Sequence, residues 1–278
     1  MSENLRTRLL VAAVGIPLTV VVVYAGGWIF ATGLAALAAV GMDEFVRIYR
    51  RHGARPFRML GAAGAALFPF LALAVGPDRA WLAGAPLLML AAGSAAARVP
   101  PREGPMTAAA LTGFGALYTG GTLAFSVPLR EELASGRLEG TLLFFFPVTV
   151  TWLADTAAYL AGKRWGRRQL APDVSPNKTW TGAFAGVGTA VVGAGLYGTL
   201  LLPLAGGGAA SPGLVASLLL GLVVGAAGIG GDLSISILKR ECGVKDSSQL
   251  IPGHGGMLDR LDALLWVFPL TYVFLLLA

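Results

Sequence analysis

Apolar stretches of about 17–25 residues, the length a helix needs to cross a bilayer, recur along the whole chain, and no other feature narrows its fold so far. They fall at 9–25, 28–42, 58–76, 80–97, 106–128, 140–161, 181–203, 213–238 and 261–278. Hydrocarbon offers no water to the backbone, so each stretch must satisfy its own amides, which a helix does and a loop does not. The expected fold is therefore an all-α polytopic integral membrane protein with about nine transmembrane helices. A composition that is 55% hydrophobic and only 13% charged fits this class and excludes an ordinary soluble domain. Many of the 39 glycines lie inside these runs, as expected where helices pack closely through small side chains. The second run is short, and Gly26-Gly27 barely separates it from the first.

Charge placement orients the chain. With the N-terminus inside and nine crossings, 18 of the 21 Lys and Arg fall on the inner side. Only Arg79, Arg130 and Arg137 remain outside, and excess Lys and Arg marks the cytoplasmic side. The expectation is N-in, C-out, in a bacterial-type cytoplasmic (inner) membrane. The net charge of +6 follows from this bias and suits an anionic leaflet, so nucleic-acid binding is not needed to explain it. No signal peptide stands out, since Arg6 and Arg8 lead into an apolar run without an Ala-x-Ala site before Trp28. The single cysteine, Cys242, excludes an internal disulfide and reads as an ordinary unpaired thiol. The Arg47–Arg58 cluster, with His52 inside it, reads as a solvated lipid-headgroup patch.

Two inner segments break the apolar pattern with chemistry. Residues 232–262 join two apolar runs yet carry four Asp, two Lys, two Arg and a His. Ionisable groups at the edge of hydrocarbon are costly and persist mainly for function. Asp232, Ser236 and Lys239 stand at i, i+4 and i+7, one face of a helix. Gly230-Gly231 before them allow close backbone approach or a local helix break. Pro252-Gly253-His254-Gly255-Gly256 cannot be regular helix, and its free N–H groups suit an anion. Asp259 and Asp262 follow at i, i+3 with Arg260 between them. In the other segment Trp152, Asp155 and Tyr159 share a helical face, so Asp155 is expected to look into a protein or water-filled interior. Ser175-Pro176-Asn177-Lys178-Thr179 reads as a turn opening a helix, where backbone N–H groups and a lysine can hold a phosphate. Simpler readings exist for each part: a helix cap with a snorkelling lysine, or solvated juxtamembrane ion pairs. Together the carboxylates and cations suggest a site for a metal and phosphates, hence phosphoryl or nucleotidyl transfer at a membrane surface.

Residues 236–262 resemble the signature of phosphatidate cytidylyltransferases, the CDP-diacylglycerol synthases: Ser236-x-apolar-Lys239-Arg240, then Lys245-Asp246, then Pro252-x-His254-Gly-Gly-apolar-x-Asp259-Arg260-apolar-Asp262. Asp155-x-x-Ala-Tyr159-x-x-Gly162 and Ser175-Pro-x-Lys178-Thr-Trp180 are also similar to that family. The likeness covers the C-terminal half. It suggests a catalytic region over 141–278, with 1–140 as scaffold and lipid access in one continuous membrane domain. Thr181-Gly182 departs from the Glu-Gly common in the family.

The resemblance implies a Mg²⁺-dependent reaction of CTP with phosphatidate, giving CDP-diacylglycerol and pyrophosphate on the cytosolic side, in phospholipid biosynthesis. It assigns Asp232 and Asp259 to the metal, with Asp155, Asp246 and Asp262 as further acidic candidates. Ser175, Asn177, Lys178, Ser236, Lys239, Arg240, Lys245 and Arg260 are expected to bind substrate phosphates. His254 is expected to orient a phosphate, with a general-acid role toward pyrophosphate as the alternative. A second, monovalent cation and a homodimer stay open, and membrane lipids are the expected surroundings. Two rivals remain. A CTP-dependent lipid kinase of the polyprenol type would transfer the γ-phosphoryl group. A transporter would use the buried charges as a substrate path, although they cluster on one side and no inverted repeat is visible.

Overall fold

The computed structural model describes residues 3–205, 212–250 and 255–278. Helices occupy each of the nine apolar stretches: α1 (Glu3–Ala25), α2 (Gly27–Arg51), α3 (Arg58–Val75), α4 (Pro77–Ala96), α5 (Pro105–Ala116), α6 (Ser126–Glu131), α7 (Arg137–Trp165), α8 (Trp180–Leu196), α9 (Gly213–Glu241), α10 (Leu258–Leu261) and α11 (Leu264–Leu277). Six helical segments among the described residues are long and apolar enough to cross a membrane: Gly27–Arg51, Arg58–Val75, Arg137–Trp165, Trp180–Ala205, Gly213–Glu241 and Leu258–Leu277. The stretch expected to cross at 106–128 is not one regular helix. After α5 it widens into a π-helical turn, Leu117–Gly121, and it is interrupted again before α6. Several helices carry an internal proline, Pro69, Pro86, Pro147 and Pro269 among them, as membrane helices tolerate. Several threonine hydroxyls are satisfied within their own helices, as where Thr151 Oγ1 donates to the Pro147 carbonyl at 2.8 Å.

The all-α expectation has one exception. β1 (Gln169–Ala171) and β2 (Ser175–Thr179) form an antiparallel hairpin. Its turn is closed by Val174 N donating to the Ala171 carbonyl at 3.2 Å, with Pro172 where a type I or II turn favours proline. Pro176 disfavours helical geometry at Ser175 and keeps it extended, so the expected turn at Ser175-Pro176 is a strand.

By contacts the chain forms two compact units that interleave in sequence: Met1–Pro128 with Lys239–Leu261, and Leu129–Leu238 with Asp262–Ala278. The first has α2, α3, α4 and α5 packed around a core that includes Met42, Phe45, Ile48, Phe68, Leu123 and Leu258, all fully buried. Gly120 in the π-helical turn is the tightest point: a Cβ there would lie 2.0 Å from the Ala65 carbonyl oxygen. The second unit packs α7, α8, α9 and α11 around Leu143, Phe146, Val150, Leu220, Val224 and Val267. Phe146 and Tyr197 stack at 4.9 Å, and the Tyr197 hydroxyl donates to the Leu142 carbonyl at 2.9 Å. Close approach through glycine recurs here. A Cβ on Gly221 would meet the Ala190 oxygen at 2.5 Å, and one on Gly231 the Asp262 oxygen at 2.4 Å. Of the two roles open to Gly230-Gly231, close approach is the one found, since α9 runs unbroken through both.

Backbone, not a flexible side chain, faces Gly120. Gly120→Ala should therefore cost about 1–3 kcal/mol, the usual penalty of overpacking, and lower the apparent Tm of detergent-purified protein. Gly93→Ala, which meets nothing within 4 Å, should leave Tm unchanged or raise it slightly.

Candidate active site

In the second unit, Asp232 is the centre of a small polar group on α9. Lys178, at the end of β2, places its Nζ 2.6 Å from Asp232 Oδ2, and Ser236 Oγ donates to Asp232 Oδ1 at 3.3 Å. The i, i+4 spacing read from the sequence thus becomes a side-chain contact. Lys178 reaches α9 because the hairpin holds its strand extended, and Thr179 caps α8 by accepting from Gly182 N at 3.1 Å. Asp155 lies within electrostatic reach of both Asp232 and Lys178. It borders a narrow recess with Thr151, Gly186, Gly225 and Gly228. Trp152, Asp155 and Tyr159 are all exposed in this chain. Small residues bring α7 and α8 together at Gly182 and Gly186, where an added Cβ would meet the Ala158 and Ala154 carbonyl oxygens. Ser175 is half-buried and Asn177 exposed on β2. Asp262 accepts from Ala263 N at 2.7 Å at the start of the last helix.

The first unit holds the second polar group, around Asp259. Its Oδ1 accepts from Lys239 Nζ at 2.6 Å. Its Oδ2 accepts from Ser247 N at 3.0 Å, Ser247 Oγ at 2.7 Å and Gly256 N at 3.1 Å. Four donors on one carboxylate tie the end of α9, the following loop and the start of α10 together. The glycines are required here. Gly255 has φ +80°, and a Cβ on Gly256 would lie 2.1 Å from Ser247 Oγ. Arg240 Nη1 donates to the Val244 carbonyl at 3.4 Å. Lys245 and Asp246 are exposed and border a cavity of about 360 Å³ with Arg51, Ser248 and Gln249. Arg260 is exposed between Asp259 and the buried Leu261. His254, with Pro252 and Gly253, lies outside the described residues. Cys242 is buried, and burial first, then neighbouring Glu241, push its thiol pKa above the ordinary value. That fits an inert thiol.

Sequence reasoning missed Ser247 and Glu44. Glu44 lies in α2 and is only 3% exposed. It accepts from the Ser248 hydroxyl, from Met257 N at 2.9 Å and from Leu258 N at 2.7 Å. Its neighbour Asp43 pairs with Arg47 at 2.6 Å and with Arg58, so the arginine patch is partly neutralised. The signal was available, since a carboxylate on an apolar helix demands a partner whether it is Asp155 or Glu44. Glu44 falls just beyond the run read as 28–42, and so passed for loop.

The carboxylates and hydroxyls of both groups are hard oxygen donors, the kind Mg²⁺ prefers, and Mg²⁺ is commonly held by one or two carboxylates plus substrate phosphates. No group of three or more His, Cys, Asp or Glu gathers into a metal site among the described residues. Each group taken by itself offers one or two carboxylates, so further ligands to such an ion would have to come from substrate and water.

A family model described as the cytidylyltransferase family matches residues 6–278. The chain belongs to the cytidylyltransferase family. A phosphatidate cytidylyltransferase from Synechocystis sp. is 30% identical over 301 residues, 97% of this chain and 96% of that protein. A chloroplastic phosphatidate cytidylyltransferase from Arabidopsis thaliana is 32% identical over 293 residues, 94% of this chain and 71% of that protein. One from Haemophilus influenzae is 42% identical over 144 residues, 50% of this chain and 47% of that protein. The chain spans about half the length of this last relative and of an Escherichia coli protein 43% identical over 136 residues (49% of this chain, 43% of that one).

The side chains of Lys239 and Asp259 are each 13% exposed, whereas those of Lys178 and Asp232 are 24% and 38% exposed. Asp259→Asn should therefore cost about 1.5–3 kcal/mol, typical of hydrogen bonds to charged groups. Asp232→Asn should cost no more than about 1 kcal/mol, because solvent screens its pair. Apparent Tm values of the two variants check this order, and an equal or reversed effect would contradict it.

Proposed function

We propose that this protein is a phosphatidate cytidylyltransferase, converting CTP and phosphatidate to CDP-diacylglycerol and pyrophosphate. The observation that carries the reading is the family match across 6–278, joined to a relative of that name aligned along nearly the whole of both chains. Phosphatidate brings its own nucleophile: a phosphate monoester has a second pKa of about 6 and is largely dianionic at pH 7. An oxygen of that phosphate attacks the α-phosphorus of CTP. The new P–O bond forms as the bond from the α-phosphorus to the α–β bridging oxygen breaks, and pyrophosphate leaves with that oxygen. The protein's work is then to bring polyanions together and neutralise their charge.

Lys178, Lys239, Arg240, Lys245 and Arg260 are the cations assigned to this work. Ser175, Asn177 and Ser236 are the assigned hydrogen-bonding partners, and His254 is assigned to orient a phosphate. Asp232 and Asp259 are the proposed ligands of Mg²⁺, with Asp155, Asp246 and Asp262 as supporting acids. Bound Mg²⁺ would offset charge on the triphosphate. Lys178 and Lys239 are held by Asp232 and Asp259, which fixes the two ammonium groups in place and limits the ordering cost of binding. The membrane arrangement we propose is nine crossings, N-in and C-out, in a cytoplasmic membrane with the site on the cytosolic side. The distribution of Lys and Arg supports it.

Purified protein given CTP, phosphatidate and Mg²⁺ should carry α-³²P from CTP into the lipid extract and release γ-³²P as pyrophosphate. Transfer of the γ-label to lipid, with CDP as the nucleotide product, would contradict the reading and favour a lipid kinase.

A further inference from the structure

A carboxylate that is 3% exposed inside an apolar helix costs free energy unless hydrogen-bond donors meet both of its oxygens. Glu44 meets that condition with groups from one place only. Oε1 receives the Ser248 hydroxyl and Met257 N, and Oε2 receives Leu258 N. These groups adjoin Ser247 and Gly256, which donate to Asp259. The two carboxylates therefore hold neighbouring residues in place, Glu44 from α2 binding Ser248, Met257 and Leu258 and Asp259 binding Ser247 and Gly256. Packing agrees: Leu258 is fully buried, and its Cδ1 lies 3.8 Å from where a Cβ on Gly41 would stand, one turn before Glu44. Gly256 fits between them only for lack of a side chain, since its Cβ would lie 2.8 Å from Glu44 Oε2.

We infer that Glu44 is a positioning residue for the reaction proposed above: it fixes Ser248, Met257 and Leu258 and so sets where the Asp259 carboxylate points. Glutamine cannot substitute. Its amide offers one acceptor and one donor, so in either orientation an NH₂ faces the N–H of Met257 or of Leu258. Aspartate keeps the charge and both acceptors but is one methylene short, so it restores part of the bonding.

The test combines hydrogen–deuterium exchange with steady-state kinetics on Glu44→Gln, Glu44→Asp and, as an exposed control, Glu103→Gln, whose partner is Arg55 at 3.2 Å. In Glu44→Gln, amides of 255–261 should exchange at least tenfold faster, while those of Arg58–Val75 stay as in the wild type. Its kcat, per folded protein, should fall at least tenfold. Glu44→Asp should lie between it and the wild type, and Glu103→Gln should match the wild type in both measurements. Unchanged exchange at 255–261 would overturn the inference. So would faster exchange with an unchanged kcat, which would make Glu44 a structural group only. The kinetic arm rests on the cytidylyltransferase reading, whereas the exchange arm does not. If the wild type made no CDP-diacylglycerol, that reading would fail, and exchange alone would decide whether Glu44 holds Met257 and Leu258 in place.

Discussion

The Asp259 carboxylate is the point on which the polar part of the first unit depends. Gly255 and Gly256 leave the backbone before α10 unusually free. Four donors converging on Asp259, from Lys239, Ser247 and Gly256, restrain it with charge-assisted hydrogen bonds, which are roughly twice as strong as neutral ones. The same carboxylate anchors Lys239 on α9, so the ammonium group and the loop are set in place together.

Much of this was legible in the sequence, because few physical rules apply and they apply strongly. The apolar runs, 181–203 and 213–238 for example, require helices, and α8 and α9 are there. Asp232, Ser236 and Lys239 at helical spacing predict one polar face, and Ser236 indeed bonds Asp232. Gly255-Gly256 cannot continue a helix, and the Gly256 N–H meets an anionic group, the protein's own Asp259.

What the sequence hid depends on long-range partners or on the choice between local conformers. Glu44 lies more than 200 residues from Ser248, Met257 and Leu258 in sequence, and no periodicity connects them. The hairpin was concealed because Ser175-Pro176 suits a turn and a strand alike. What decides is the second turn signal at Pro172-Asp173, which leaves too little chain for anything but two short strands. The π-helical turn at Leu117–Gly121 is likewise invisible to hydropathy, which registers 106–128 as one apolar run. Within that turn Gly120 passes close to the Ala65 carbonyl, a contact made by residues far apart in sequence.

An account built on charge placement, with the lipid phosphate as nucleophile, requires a single displacement at the α-phosphorus and no covalent enzyme intermediate. The stereochemical course tests this most directly. Reaction of one diastereomer of CTP carrying sulfur on the α-phosphorus, followed by configurational analysis of the CDP-diacylglycerol analogue, should show inversion at phosphorus. Retention would mean two displacements through a protein nucleophile, and would contradict the account.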